Sequence, residues 1–135
     1  MKRKVFLSLF IICLIFTLIG CDVVNHKEEV KEVVNAYWLA LSNKRYVLAK
    51  TYCVPYGDAY YAVEDYQILS GDDYVTINWT SYINWIKVIG NKATVDIKLI
   101  LNVTVCFEDI CSSQTETLYN YSMYLIKIDS DWKLN

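Results

Sequence analysis

Ala93-Thr-Val-Asp-Ile-Lys-Leu-Ile-Leu-Asn-Val-Thr-Val105 decides the fold. Ala93, Val95, Ile97, Leu99, Leu101, Val103 and Val105 alternate with Thr94, Asp96, Lys98, Asn102 and Thr104, and Ile100 is the single apolar outlier. Successive side chains of a strand point to opposite faces, so this period of two predicts a long strand with one face buried and the other wet. Upstream, Gly90-Asn91 is a two-residue hairpin signal of the II′ kind. The strand-forming residues before it, 74–79 and 82–89, read as two strands or one bent strand. Downstream, a turn near 107–110 sends the chain back into a strand over 115–128, with Tyr119, Tyr121, Met123 and Leu125 expected on one face. Asp129-Ser130-Asp131 turns once more, and Trp132-Lys133-Leu134 forms a short last strand.

Before Gly71 the period is 3.6. Val30, Val33, Val34, Tyr37, Trp38 and Leu41 make one apolar stripe with charges opposite, which predicts a helix from about Lys27 to Ser42. Asn25 is placed to cap it, and Glu28 and Glu29 suit the positive end of its dipole. A second helix is expected from about Arg45 to Cys53, ended by Pro55. A third starts at Asp58, carries Ala59, Tyr60, Val63, Tyr66 and Ile68, and stops at Gly71. Helices first and an antiparallel meander afterwards describe an α+β layer, with N-terminal helices packed on a curved antiparallel sheet.

The remaining N-terminal stretch has another character. Lys2-Arg3-Lys4 precedes an apolar run from Val5 to Gly20 broken by Ser8 and Thr17. Sixteen helical residues span about 24 Å, short of the ~30 Å hydrocarbon core, which favours a signal peptide over a permanent span. Its ending, Leu18-Ile19-Gly20-Cys21, resembles the lipobox of bacterial lipoproteins. That resemblance implies a diacylglyceryl group on the Cys21 sulfur, cleavage after Gly20, and a mature chain held on the extracytoplasmic face of the cell membrane. Two acyl chains, at ~0.8 kcal/mol per buried CH₂, anchor stably. Cys13 lies in the same run, but Ile11-Ile12 before it provides no small residue for cleavage. Residues 1–20 are thus expected to be a cleaved signal peptide, 21–27 the lipidated cysteine and a short tether, and 28–135 a single α+β domain. Asp22 after the lipobox resembles an inner-membrane retention signal of enterobacteria, and the Lys, Asn, Ile and Tyr content suits an AT-rich genome.

The mature chain also resembles the NTF2-like (cystatin-like, SnoaL-type) superfamily, whose fold is a helix-capped cone of curved sheet. Three stretches carry the likeness. They are Val34-Asn-Ala-Tyr-Trp-Leu-Ala-Leu41 with Arg45-Tyr-Val-Leu-Ala49, the hairpin Val88-Ile-Gly-Asn-Lys-Ala-Thr-Val95, and the ending Leu125-Ile-Lys-Ile-Asp-Ser-Asp-Trp-Lys-Leu134. Members include enzymes, small-ligand binders and accessory domains of exported proteins, so the likeness implies a fold and not an activity.

The chain has 13 basic and 15 acidic residues, and losing residues 1–20 removes three bases and no acid, leaving a formal charge of about −5. Nucleic acid is excluded as a partner, because its binding rests on neutralising phosphates with Lys and Arg. Anionic lipid would not hold the domain by charge either. Catalytic members of the superfamily place a His or Asp pair in the cone. Here the one histidine, His26, falls in the expected tether, and Asp96 falls on the wet face of its strand. No catalytic residue is assigned. His26, Cys53, Cys106 and Cys111 lack metal-ligand spacing, and Asp72-Asp73 and Asp129-x-Asp131 read as turns rather than cation loops, so no metal or cofactor is expected. Asn78, Asn102 and Asn120 open glycosylation sequons that carry no weight in a bacterial chain.

Cys106 and Cys111 flank a four-residue loop and are expected to pair across it in an oxidising compartment, contributing roughly 2 kcal/mol. Cys53 is then a buried apolar thiol. Among 12 Tyr and 4 Trp, the residues Tyr37, Trp38, Tyr119 and Tyr121 either line a pocket or fill the core. The expectation is a membrane-tethered, non-catalytic lipoprotein domain that binds an envelope protein or a small ligand. The alternatives are a SnoaL-type pocket enzyme and an inhibitory or immunity lipoprotein.

Overall fold

A computed structural model of the chain describes residues 25–71 and 73–135. The expected signal peptide, Cys21 and the start of the expected tether lie outside the described residues.

Among the described residues three helices come first: α1 over 25–42, α2 over Tyr46–Thr51 and α3 over Asp58–Leu69. Four strands follow: β1 Val75–Ile89, β2 Lys92–Phe107, β3 Ile110–Ile128 and β4 Asp131–Leu134. They pair antiparallel in sequence order, β1-β2-β3-β4, as a meander. The helices cover one face of the sheet. The alternation in β2 drives this arrangement: Ala93, Val95, Ile97 and Leu99 are all buried against α1 and its neighbours. From α1 come Val30, Val34, Tyr37, Trp38, Ala40 and Leu41, so the apolar stripe of the helix meets the apolar face of the sheet. This is the helix-covered antiparallel sheet that the α+β reading of the sequence predicts.

The turns follow local chemistry. Gly90 takes a left-handed φ of 59° in the β1–β2 turn, a conformation that costs glycine little. Asp129 and Ser130 adopt φ of 47° and 72°, the paired positive values of a type I′ turn, and reverse β3 into β4. The C-terminal strand is stitched to the helical layer, not only to β3. The Leu134 N–H donates to the Tyr52 carbonyl at 2.8 Å, and the Val54 N–H donates to the Leu134 carbonyl at 2.6 Å. At the far end of α1, Ser42 Oγ accepts from the Trp79 N–H at 3.0 Å and donates to the Trp79 carbonyl at 3.1 Å. Both backbone groups sit on the outer edge of β1, where no strand satisfies them among the described residues.

Two features differ from the sequence-based expectation at the start of the domain. Residues 25–27 are helical, so α1 is already under way at Asn25, which is not a cap. His26, expected in the tether, packs on the domain. Its ring lies 6.0 Å from that of Trp132, edge to face, and its Nδ1 lies 3.0 Å from Glu29 Oε2. The reason is local. One turn of helix brings positions 26 and 29 together, and Trp132 gives both an apolar wall.

Glu29 is the hub of this end, also accepting from Trp132 Nε1 at 3.1 Å and Lys127 Nζ at 3.4 Å. The hydrogen bond with His26 is the largest influence holding its carboxyl below the ordinary value of 4.5. Desolvation opposes it, and Trp132 and Lys127 add to the lowering. A carboxyl with a lowered folded-state pKa contributes stability that is present above the unfolded value and lost as pH falls through the folded one. Glu29→Gln should therefore flatten the loss of stability below about pH 4.5, read as urea midpoints between pH ~6 and ~3. Identical slopes for the two chains would refute the assignment.

Candidate functional site

The site is built where α1, α3 and β3 meet. Tyr37 and Trp38 arrive from the core stripe of α1, both 3% exposed. The neighbouring wall is β3 from Tyr121 to Tyr124. Asp58, Ala59 and Ala62 of α3 and the C-terminal Leu134 and Asn135 complete a cleft of about 210 Å³. Drug-sized ligands use roughly 300–1,000 Å³, so this volume suits a small molecule or one moiety of a larger one.

Trp38 forms the floor. Its ring contacts Tyr37 at 5.2 Å, Trp79 at 5.2 Å and Tyr121 at 6.3 Å, and its Nε1 donates to Met123 Sδ at 3.3 Å. Tyr66 closes the cluster behind, 4.8 Å from Trp79. Burial pushes the Tyr37 phenol far above its usual range, with Cys53, Tyr66 and Tyr121 acting in the same direction. Burial also pushes Tyr66 up to about 12. Both therefore stay protonated at any physiological pH, as hydrogen-bond donors and not as bases. Asp58 contributes a carboxylate, but an exposed one, in the first turn of α3. The described residues contain no cluster of three or more His, Cys, Asp or Glu suited to a metal.

Of the four aromatics singled out from sequence, Tyr37, Trp38 and Tyr121 come together here, and Tyr119 does not. Tyr119 is 70% exposed and points to the opposite face, its ring 5.6 Å from Lys98 Nζ. The cause is a β-bulge. Ile97 pairs with Tyr121, but Leu99 pairs with Leu118, so β3 carries an extra residue opposite Lys98, with Asn120 at a left-handed φ of 56°. One inserted residue reverses the facing of everything before it. The only sequence signal was Asn120 itself, since Asn tolerates that backbone region better than most residues.

Asp96 is a second correction. It was expected on a solvated face and is 5% exposed, accepting a 2.8 Å hydrogen bond from Asn84 Nδ2. A bulge in β1 between Ile83 and Trp85 brings Asn84 over the carboxylate. Asp96 nevertheless lies on the sheet face opposite Val95 and Ile97 and does not line the cleft.

Cys106 and Cys111, directly paired across the β2–β3 hairpin, form a disulfide. Cys53 is 2% exposed, its Sγ 3.5 Å from the Ala49 carbonyl, and burial pushes the thiol up to about 12. A thiol with so high a pKa carries on the order of a thousandfold less thiolate than an ordinary cysteine. Ellman's reagent should thus detect no fast-reacting thiol in folded residues 25–135 and one after unfolding without reductant. Prompt native labelling of Cys53 would contradict its burial.

No protein-family model matches the sequence, and a search of curated proteins finds no match. Solved structures do match in shape. A conserved protein from Planctomyces limnophilus aligns with a TM-score of 0.61 at 12% identity, covering 82% of this chain and 91% of that one. A Novosphingobium aromaticivorans protein provisionally named a scytalone dehydratase aligns at 0.60 and 15% identity, covering 82% and 80%. A Streptomyces avermitilis protein, provisionally a dehydratase of the NTF2-like family, aligns at 0.51 and 13% identity, covering 79% and 90%. At such identities the shared property is the architecture: the chain has the NTF2-like fold.

Proposed function

We propose that this chain is a membrane-tethered, non-catalytic binding domain on the extracytoplasmic face of the membrane, with the cleft between α1, α3 and β3 as its small-ligand site. The observation that carries the reading is the lining of that cleft. Tyr37 and Tyr121 bring phenols, Trp38 brings apolar ring surface, and Asp58 stands exposed in its wall. Such walls suit a small ligand with an aromatic or apolar body and a hydrogen-bond acceptor. A general base needs a titrating group within hydrogen-bond reach of the reacting atom. Burial keeps the Tyr37 phenol protonated near neutrality, and His26 does not line the cleft but packs against Glu29 and Trp132. The lipobox Leu18-Ile19-Gly20-Cys21 supports the tether, and among the described residues no helix is long and apolar enough to cross a membrane.

Mass spectrometry of the membrane-extracted chain tests both halves. Denatured, the wild type should lack residues 1–20 and carry a diacylglyceryl adduct that Cys21→Ala loses. Under native conditions it should retain a small molecule that Tyr121→Ala releases. An unprocessed chain without lipid sinks the tether, and a retained molecule indifferent to Tyr121→Ala sinks the cleft. Chemical conversion of the retained molecule on incubation would move the protein to the pocket-enzyme reading.

A further inference from the structure

The β2–β3 hairpin ends in a cluster that the cleft does not use. Phe107 is 69% exposed and Ile110 78%, flanking the turn residues Glu108 and Asp109. Tyr74, 58% exposed, stacks on Phe107 with ring centroids 5.7 Å apart and planes within 6°. Three independent devices hold this cluster in shape. The Cys106–Cys111 disulfide crosses the base of the turn. The Cys106 N–H donates to the Tyr74 carbonyl at 2.8 Å, which ties the approach to β1 onto β2. The third is the stacked ring pair itself.

A bridge closing so short a loop removes less chain entropy than one closing a long loop, about 2 kcal/mol here. What it does is fix the tip. Exposed apolar side chains that are already ordered lose little entropy on docking, and large residues seated in a partner's pocket carry most of the binding energy of an interface. We infer that this disulfide-braced tip is a docking knob for a partner protein, with Phe107 and Ile110 entering an apolar pocket whose rim is basic. The charge argues for that rim. Asp73 adjoins Tyr74 in the chain and Glu108-Asp109 follow Phe107, so three acids flank the ring pair, against one base, Lys44, bonded to the Val75 carbonyl at 3.4 Å. The same acids disfavour an anionic bilayer as the occupant.

Placement agrees. The first described turn of α1 sits beside Trp132 and Lys127, and the Lys127 N–H donates to the Asn91 carbonyl in the β1–β2 turn. The tip lies at the other end of the 16-residue β2, up to about 50 Å away along an extended strand. A chain anchored through its N-terminus presents this end outward; that orientation, though not the docking surface itself, rests on the tether proposed above.

The test places the photo-cross-linker p-benzoylphenylalanine at position 110 of the full chain in its native cells. The expected result is a discrete protein adduct whose cross-linked peptide is apolar and flanked by Lys or Arg. The double variant Glu108→Lys/Asp109→Lys should cut its yield about tenfold, as loss of rim charge complementarity predicts. Cys106→Ser/Cys111→Ser should weaken it with far-ultraviolet circular dichroism unchanged. The same probe at Val47, 83% exposed on α2, should not give this adduct. The inference is overturned if the adduct is a lipid or a second copy, if charge reversal leaves it unchanged, if Val47 gives it equally, or if none forms. Intact mass on the same preparation reports the lipid on Cys21 independently, so the two readings fail separately.

Discussion

Replacing Trp38 with alanine is expected to lower the unfolding free energy by about 3–5 kcal/mol. The indole is 3% exposed and is shared by Tyr37, Trp79, Tyr121 and the Met123 sulfur, which it meets through its N–H. Its removal forfeits the transfer energy of a large apolar surface and leaves a cavity bounded by three rings that are each fixed from another direction. Tyr37 belongs to the same helix, Trp79 is held through its backbone by Ser42, and Tyr121 is set by the bulge at Asn120. None can swing in to fill the space, so the cost should fall toward the upper part of the range. Domains of this size are stable by only about 5–15 kcal/mol, and the loss takes a large share of that. Urea unfolding followed by circular dichroism gives the value. A change below about 1 kcal/mol would mean the cluster repacks, and with it the floor of the cleft would cease to be a defined surface.

A chain ended at Ser130 is expected not to fold cooperatively at all. The five lost residues include Trp132 at 3% exposure and Leu134 at 1%. Burying two such side chains contributes about 1.5–3 kcal/mol each, before any hydrogen bond is counted. The same residues close the fold. Leu134 pairs with Leu125 on one side and forms a parallel bridge to Cys53 on the other, so β4 joins the sheet to the segment between α2 and α3. Trp132 also walls the Glu29 hub. The milder Leu134→Ala should keep a cooperative transition and cost about 2–5 kcal/mol. A sigmoidal urea transition of native midpoint in the truncated chain would show that β4 decorates the domain instead of closing it.

The parts legible from sequence were those where burial repeats with the period of the backbone. The alternation from Ala93 to Val105 and the stripe from Val30 to Leu41 each specify an element and its inward face, and two such faces can satisfy each other in few ways. Turn chemistry located Gly90 and Asp129-Ser130 for the same kind of reason. What escaped was whatever breaks a period without changing composition. Apart from Asn120, nothing in Leu118-Tyr119-Asn120-Tyr121 announces that one residue is extra, so simple alternation puts both tyrosines on one face where the bulge turns Tyr119 to the other. Asp96 looked wet because polar residues on a strand usually are, and the residue that covers it, Asn84, comes from a bulge in another strand. His26 looked unattached because, beyond Glu29 one helical turn on, its partners Lys127 and Trp132 stand a hundred positions away, in β3 and β4. The cleft was half legible: its aromatics were visible, but its outline depends on Asp58, Ala59 and Asn135, which have no signal of their own.

The order of the sheet also sets how the molecule is made. Each strand pairs with the strand next to it in the chain, so hairpins can zip outward from their turns within microseconds, without waiting for distant segments to meet. The helical layer has no such advantage: Trp38 must find Met123 and Glu29 must find Trp132 across most of the domain. During synthesis the helices emerge first and wait, their apolar stripes uncovered, until β3 and β4 follow. The chain spends its earliest moments dependent on the sequence still to come.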